Sequence, residues 1–293
     1  MINEVLKREM NHMIENVKAV AADIDMTLTA KGGGLPQATV KAFQVLHENG
    51  VMLGLATGRV IEEREKKFGT TWGLGFDFDF VIGMNGGMIY DRKTNRTWQT
   101  ELLTTEEMKE TLSYMMPLVE KYQIPVNCEG GGNINAMFIQ GELLEAEKRH
   151  GWMFEDHTGD LDGFCAKRCF KILFRCNEHV DEIRNHFLER FGDTYQMIET
   201  FPGTVEMMHK GIDKGNGMKI WTSWAGIDMK DCIGFGDNEN DNTLLQDCGL
   251  GVCLKDGNPK TIAVADELTD YTCAEGGVGH YLMDHYLKPK GLM

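Results

Sequence analysis

The segment Ala-Val-Ala-Ala-Asp-Ile-Asp-Met-Thr-Leu-Thr, residues 19–29, restricts the fold more than any other stretch. The run from Lys18 to Ala22 is too short for a helix and lacks polar alternation, which predicts a buried strand of a parallel sheet. Asp23 and Asp25 follow it one residue apart, with Thr27 next. If extended backbone continues past Ala22, residues i and i+2 point the same way and both acids face one cleft. Open parallel sheets bind ligands just outside the carboxyl ends of their strands. Two acids held that close repel unless a cation sits between them or one carries a proton. Taken alone, Asp-x-Asp-x-Thr also reads as a turn or helix N-cap after a strand, so the rest of the chain must decide.

The next elements repeat the theme. Pro36 opens a helix that Gly50 stops, and Val51 to Ala56 reads as a second buried strand ending in Thr57-Gly58-Arg59. Strand, helix and strand in this span make a right-handed βαβ unit. A charged helix is expected from Ile61 to Phe68, then a strand, Phe80 to Gly83, running into Met84-Asn85-Gly86-Gly87, with Met88 to Tyr90 after it. From about Arg92 the pattern changes. Thr104-x-x-Glu107 is a capping box for a helix toward Lys121. Ile134 to Gln140 and Phe170 to Cys176 read as strands, Glu178 to Phe191 as a helix, and Tyr195 to Met208 as a hairpin about Pro202-Gly203. The pattern predicts an α+β domain with an antiparallel sheet, residues 92–205, inserted into an α/β domain of residues 1–91 and 206–293. Residues 1–16 are expected to form a short helix or a partly ordered arm. After the insertion come a helix from Gly215 to Trp224, strands Cys232 to Gly236 and Leu250 to Cys253, and a helix from Pro259 toward Ala265.

Composition excludes several functions. The 293-residue chain carries a net charge of −15, which argues against a nucleic-acid partner. No apolar run approaches the ~18 residues that a membrane span needs. Residues 1–17 contain no apolar block of a signal peptide. Eight cysteines without a CxxC pair read as reduced core thiols. A cytoplasmic chain without a zinc site is therefore expected.

Four polar clusters stand at predicted strand ends or helix starts: Asp23/Asp25/Thr27, Thr57-Gly58-Arg59, Lys214, and Gly236-Asp237-Asn238-Glu239-Asn240-Asp241. Asp23, Asp237 and Asp241 suit one hard dication, and magnesium prefers such oxygen ligands together with substrate phosphate. Thr57 and Lys214 would supply a hydroxyl and a fixed positive charge for phosphate oxygens, leaving Asp25 to move a proton. A calcium loop starting at Asp237 fails, because Asn242 stands where glycine is needed and Cys248 where glutamate is needed. The glycines at 32–34 lack the Lys-Ser/Thr of a P-loop, and no GxGxxG follows a strand.

This four-part pattern resembles the haloacid dehalogenase-like (HAD) superfamily of aspartyl phosphohydrolases, and within it the Cof-type phosphatases with a large C2-type α/β cap. The resemblance runs from Val17 to Val278 and is weakest in the insertion. It implies a Rossmann-like core and a magnesium-dependent phosphatase. Asp23 would be the nucleophile and a metal ligand; Asp25 the general acid, then base, with its backbone carbonyl on the metal. Thr57, Gly58, Arg59 and Lys214 would hold phosphate or substrate, with Asn85 and Asn240 nearby. Asp237 would ligate the metal and Asp241 support it. Met26 departs from the family, where glycine is commoner, and Gly87 stands where alanine is usual. The insertion is expected to act as a lid, with Asn127, Glu129 and the 130–132 glycine loop as candidate substrate contacts. The expected partner is a small phosphate ester, a sugar phosphate above all, bound by a monomer or small homo-oligomer. Rival readings are a phosphomutase using the same site and, from another class, a phosphate-accepting signalling or ligand-sensing module.

Overall fold

In the computed structural model, residues 16–30, 33–128, 133–141, 143–145 and 153–293 are described. The N-terminal arm up to residue 15, Glu129 and the 130–132 loop lie outside them. The chain divides into two compact units, Thr100–Gly211 and the remainder.

The first unit is built on strands β1 (Ala19–Ala22), β2 (Met52–Ala56) and β3 (Phe80–Gly83), joined in parallel. Strands β4 (Met88–Asp91) and β5 (Arg96–Gln99) then turn back antiparallel. The second unit carries β6 (Val126–Cys128), β7 (Asn133–Met137), β8 (Met153–Asp156), β9 (Ile172–Arg175), β10 (Tyr195–Phe201) and β11 (Thr204–His209). These form one sheet in the order β10-β11-β9-β6-β7-β8, antiparallel except for the β7–β8 pair. The chain then returns to the first sheet as β12 (Cys232–Gly236), β13 (Leu250–Cys253) and β14 (Glu267–Leu268), giving the order β14-β13-β12-β1-β2-β3-β4-β5.

Alternation along the strands explains why the first sheet is covered on both faces. Val20, Ala22, Leu53, Leu55, Ile233 and Phe235 belong to one apolar cluster, whereas Ala19, Ala21, Phe80, Ile82 and Cys232 belong to another. Helix α1 (Gln37–Glu48) buries Thr39, Ala42, Phe43 and Leu46, the i, i+3, i+4, i+7 stripe. Helix α2 (Thr105–Tyr122) starts at the Thr104/Glu107 capping box, and with α3 (Val180–Phe191) it supplies the core of the second unit. Helix α4 (Lys214–Ala225) seats its Trp221 ring on Phe80 at a centroid distance of 3.6 Å. The Trp221 Nε1 donates to Asp91 at 3.2 Å. At Gly217 a Cβ would come within 2.6 Å of the Ile82 side chain, so the small residue lets α4 approach the sheet.

Several sequence expectations shift. The strand expected from Ile134 to Gln140 ends at Met137, where Phe138 takes φ +53°. The helix expected over Ile61 to Phe68 is two short turns, Glu63–Lys66 and Phe68–Thr71, separated at Lys67, whose backbone leaves the helical region at φ −107° and ψ 9°. The insertion edges at 92 and 205 move to 100 and 211, since β5 pairs with β4 and His209 still pairs with Tyr195. Strands β5, β6, β8 and β14 had no clear signal. Among the described residues no helix is long and apolar enough to cross a membrane, and all eight cysteines are buried and free.

Candidate active site

Strand order brings the polar clusters together. β1 lies between β12 and β2, so the residues just past their ends become neighbours. From β1 the chain winds outward through β2 and β3, while β12, β13 and β14 extend the sheet the other way. The β1–β12 junction is thus the topological switch point, where open α/β sheets bind ligands.

The Asp23 amide donates to the Phe235 carbonyl at 3.0 Å, continuing the ladder past β1. Ile24 packs into the core cluster on the face of Val20 and Ala22, which turns Asp23 and Asp25 the other way. Met26 follows with φ +69° and its side chain exposed, a conformation that glycine takes without steric cost. The Thr27 hydroxyl donates to Asp237 Oδ1 at 2.5 Å.

Lys214 is the first residue of α4, held there by Asp213, whose side chain accepts from the Asn216 amide as N-cap. Its side chain is fully buried, with Nζ 2.6 Å from Asp23 Oδ1 and 2.5 Å from Asp241 Oδ1. The second Asp241 oxygen accepts from the backbone amides of Asp237 and Asn238, at 2.9 and 3.0 Å. Asp241 is therefore already well bonded and braces the loop, while Asp23 and Asp237 retain more free coordination capacity. Asp23, Asp237 and Asp241 each offer an oxygen within 4.8 Å of the others.

Three carboxylates stand against one ammonium here. Burial pushes Asp23 up to about 7, with the Asp241 charge adding and Lys214 opposing. Burial likewise raises Asp237 to about 8, with Asp241 and Asp23 adding to it. Burial works against the charge on Lys214, but Asp23 and Asp241 more than offset it and hold the ammonium above its ordinary value. An all-oxygen donor set with uncompensated negative charge fits a hard divalent cation. A pH prediction follows from these directions. Between the ordinary carboxylate value of 3.8 and about 7 to 8, the folded chain holds protons that the unfolded chain releases. For these two groups, stability without metal therefore falls as pH rises through that window. A hard dication must displace those protons, so its stabilising effect grows with pH. Thermal melts should show magnesium raising Tm more at pH 8 than at pH 6, with EDTA removing the difference.

Thr57 is buried past β2, its amide donating to the Ile82 carbonyl at 2.7 Å and its Oγ1 accepting from the Arg59 amide at 3.2 Å. The Thr57 carbonyl accepts from the Asn85 amide at 3.0 Å, linking the β2 and β3 ends. Asn85 is left-handed at φ +53°, and its Oδ1 accepts from Asn240 Nδ2 at 3.1 Å. Gly86 follows at φ +105°, where a Cβ would lie 2.1 Å from the Asp213 carbonyl oxygen. Gly86→Ala should therefore cost about 2–5 kcal/mol, combining backbone strain and overpacking. A urea unfolding midpoint close to wild type would contradict that expectation.

Gly58 is half-buried beside Thr57. The Arg59 guanidinium is bonded through Nε and Nη2 to both oxygens of Asp25, at 2.9 and 2.6 Å. Sequence reasoning missed Asn258, which donates from its amide to the Asp237 carbonyl at 2.7 Å and from Nδ2 to Asn238 Oδ1 at 3.1 Å. Its only sequence signal was Asn-Pro at a helix start. In the second unit Asn127 lies buried on β6, and Lys171 and Glu206 form a buried ion pair of 2.8 Å.

The profile of the haloacid dehalogenase-like hydrolases matches residues 20–282. The chain belongs to that family. A putative phosphatase from Haemophilus influenzae is 24% identical to this hydrolase, covering 86% of the chain and 90% of the relative. An HMP-PP phosphatase from Enterobacter sp. (strain 638) is 25% identical, covering 94% of this hydrolase and 97% of that protein. The solved structure of a HAD subclass IIB sugar phosphatase superposes with a TM-score of 0.74 at 21% identity, over 94% of this chain and 100% of that one. A haloacid dehalogenase-like hydrolase from Bacteroides thetaiotaomicron superposes with a TM-score of 0.69 at 18% identity, covering 91% of this chain and 98% of that one. These likenesses carry the fold: an α/β core whose sheet is mostly parallel.

Proposed function

We propose that this hydrolase is a magnesium-dependent phosphatase acting on small phosphate monoesters, with sugar phosphates as its substrate class, through an aspartyl-phosphate. The observation that carries this reading is Asp23 itself. It is a strand-end carboxylate with one oxygen fixed by Lys214, and a second acid lies two residues on. Phosphate monoesters are among the slowest substrates to hydrolyse unaided, so the site must supply large stabilisation. In the proposed route an Asp23 oxygen attacks phosphorus as the bond from phosphorus to the alcohol oxygen breaks. Asp25 gives its proton to that leaving oxygen. Water then attacks the aspartyl-phosphate, Asp25 takes the water proton, and the bond from phosphorus to Asp23 breaks to release inorganic phosphate. Lys214 and Thr57 hold and neutralise phosphoryl oxygens as negative charge spreads over them. Asp23, Asp237 and the Asp25 backbone carbonyl, with Asp241 behind them, would hold magnesium, which when bound would supply positive charge beside the transferring group.

Relatives named HMP-PP phosphatase and sugar phosphatase support the activity class and suggest what to assay. The test is phosphate release with magnesium over a panel of phosphorylated metabolites that includes HMP-PP and sugar phosphates. Release of inorganic phosphate is expected from at least one ester. Conversion to an isomeric ester without phosphate release would indicate a phosphomutase instead, and inactivity across the panel would overturn the reading.

A further inference from the structure

We propose that Arg59 is a positioning residue, clamping the Asp25 carboxyl group in the orientation from which it serves the leaving oxygen. The inference rests on the phosphatase reading above and deepens it. Three observations support it. The contact is bidentate, Nε to Oδ2 at 2.9 Å and Nη2 to Oδ1 at 2.6 Å, and this fork fixes both the distance and the plane of a carboxyl group. The guanidinium also lies over the buried Phe68 ring, its carbon 5.8 Å from the centroid, so the clamp has a floor. Finally, the Arg59 backbone is pinned at both polar atoms. Its amide donates to Thr57 Oγ1 at 3.2 Å, and its carbonyl accepts from the Met84 amide at 2.8 Å.

Asp25 needs such a partner. It follows the end of β1 in a loop that reverses at once, with Met26 at φ +69° and the Met26 amide bonded to the Thr29 carbonyl at 2.9 Å. Its side chain is 39% exposed, so packing alone does not fix its rotamer. An ion pair this open, with Arg59 itself 35% exposed, contributes little to fold stability. Its value lies in orientation, and small misplacements of a catalytic group can cost about 100-fold in rate. The clamp also occupies the Nε edge that Arg59 would otherwise offer to a phosphate.

The experiment compares two esters of similar shape, phenyl phosphate and 4-nitrophenyl phosphate, in wild type and Arg59→Gln. Before the first step Asp25 takes up a proton from solvent on the side of the carboxyl group that the fork leaves open; then the phosphorus–oxygen bond to the phenol breaks, the bond to Asp23 forms, and that proton goes to the leaving oxygen. Nitrophenolate leaves readily without that proton; phenol does not. Because kcat/KM reports only through this step, Arg59→Gln should lower it about 10- to 100-fold for phenyl phosphate and much less for 4-nitrophenyl phosphate. Arg59→Lys, which keeps the charge and loses the fork, should fall between, and it serves if the glutamine variant does not fold. In an Asp25→Asn background, Arg59→Gln should cost little more, since there is no acid left to orient. Equal losses on both esters, or a full additional loss in the Asp25→Asn background, would mean that Arg59 binds phosphate or supports the fold, and would overturn the inference alone. A wild-type chain inactive on both esters would instead count against the phosphatase reading on which the inference rests.

Discussion

Asp23→Asn is expected to reduce phosphate release by about 1,000-fold or more while leaving the chain folded. Replacing a nucleophile removes the covalent route and not merely a favourable contact, and loss of a member of a concerted catalytic set typically costs that much. Fold stability should behave differently. Asp23 is buried beside Asp241 and Asp237, and burial already pushes its carboxyl up to about 7. A neutral amide relieves that crowding, and Lys214 keeps Asp241 as a partner at 2.5 Å. In the absence of metal, the variant should melt no lower than wild type at pH 8. Retained turnover on a substrate of the wild-type enzyme would contradict a covalent route through Asp23.

Lys214→Met should have the largest combined effect. Nζ is fully buried and bonds two acids, so its removal leaves two buried carboxylates without their cation. Removing one partner of a buried ion pair typically costs about 3–5 kcal/mol. The sign of the pH dependence follows. With Lys214 present Asp23 and Asp237 stand at about 7 and 8, and the Lys214 charge holds both below where burial alone would put them. Without it they move higher, so the folded variant keeps protons that wild type releases, and the destabilisation should grow from pH 5 to pH 8. Urea unfolding at the two pH values reads it directly. Activity should fall at least ~100-fold, the typical cost of removing one electrostatic contact to a developing charge. Lys214→Arg should not restore it, because a guanidinium is wider than the enclosed space between Asp23 and Asp241. A variant that unfolds like wild type at pH 8 would show that Lys214 does not neutralise this cluster.

Most strands of the core could be read from the chain because their signals are local. Ala19 to Ala22, Val51 to Ala56, Phe80 to Gly83 and Cys232 to Gly236 are apolar runs bounded by breakers, and each is observed within a residue of its expected limits. The Thr104/Glu107 capping box was equally legible, since both partners lie within one helical turn. The insertion was harder. β6 is only three residues long, and β8 is mostly exposed and carries two acids, so neither shows the periodicity of a buried strand. β5 escaped for a similar reason: Arg-Thr-Trp-Gln is an edge strand recognisable only once β4 is beside it.

The sequence by itself determined which residue types were available and where they fell along the chain: acids past β1 and β12, a hydroxyl past β2, a lysine opening α4. It did not determine their pairings, because a carboxylate carries no mark of its partner. The order β12-β1-β2 put Asp237, Asp23 and Thr57 side by side, and the docking of Trp221 on Phe80 carried Lys214 between two acids. Tertiary structure likewise turned Arg59 toward Asp25, where the chain alone suggested phosphate, and recruited Asn258 to hold the Asp237 loop. Such choices depend on distances across the sheet, and those exist only after the hydrophobic layers have packed.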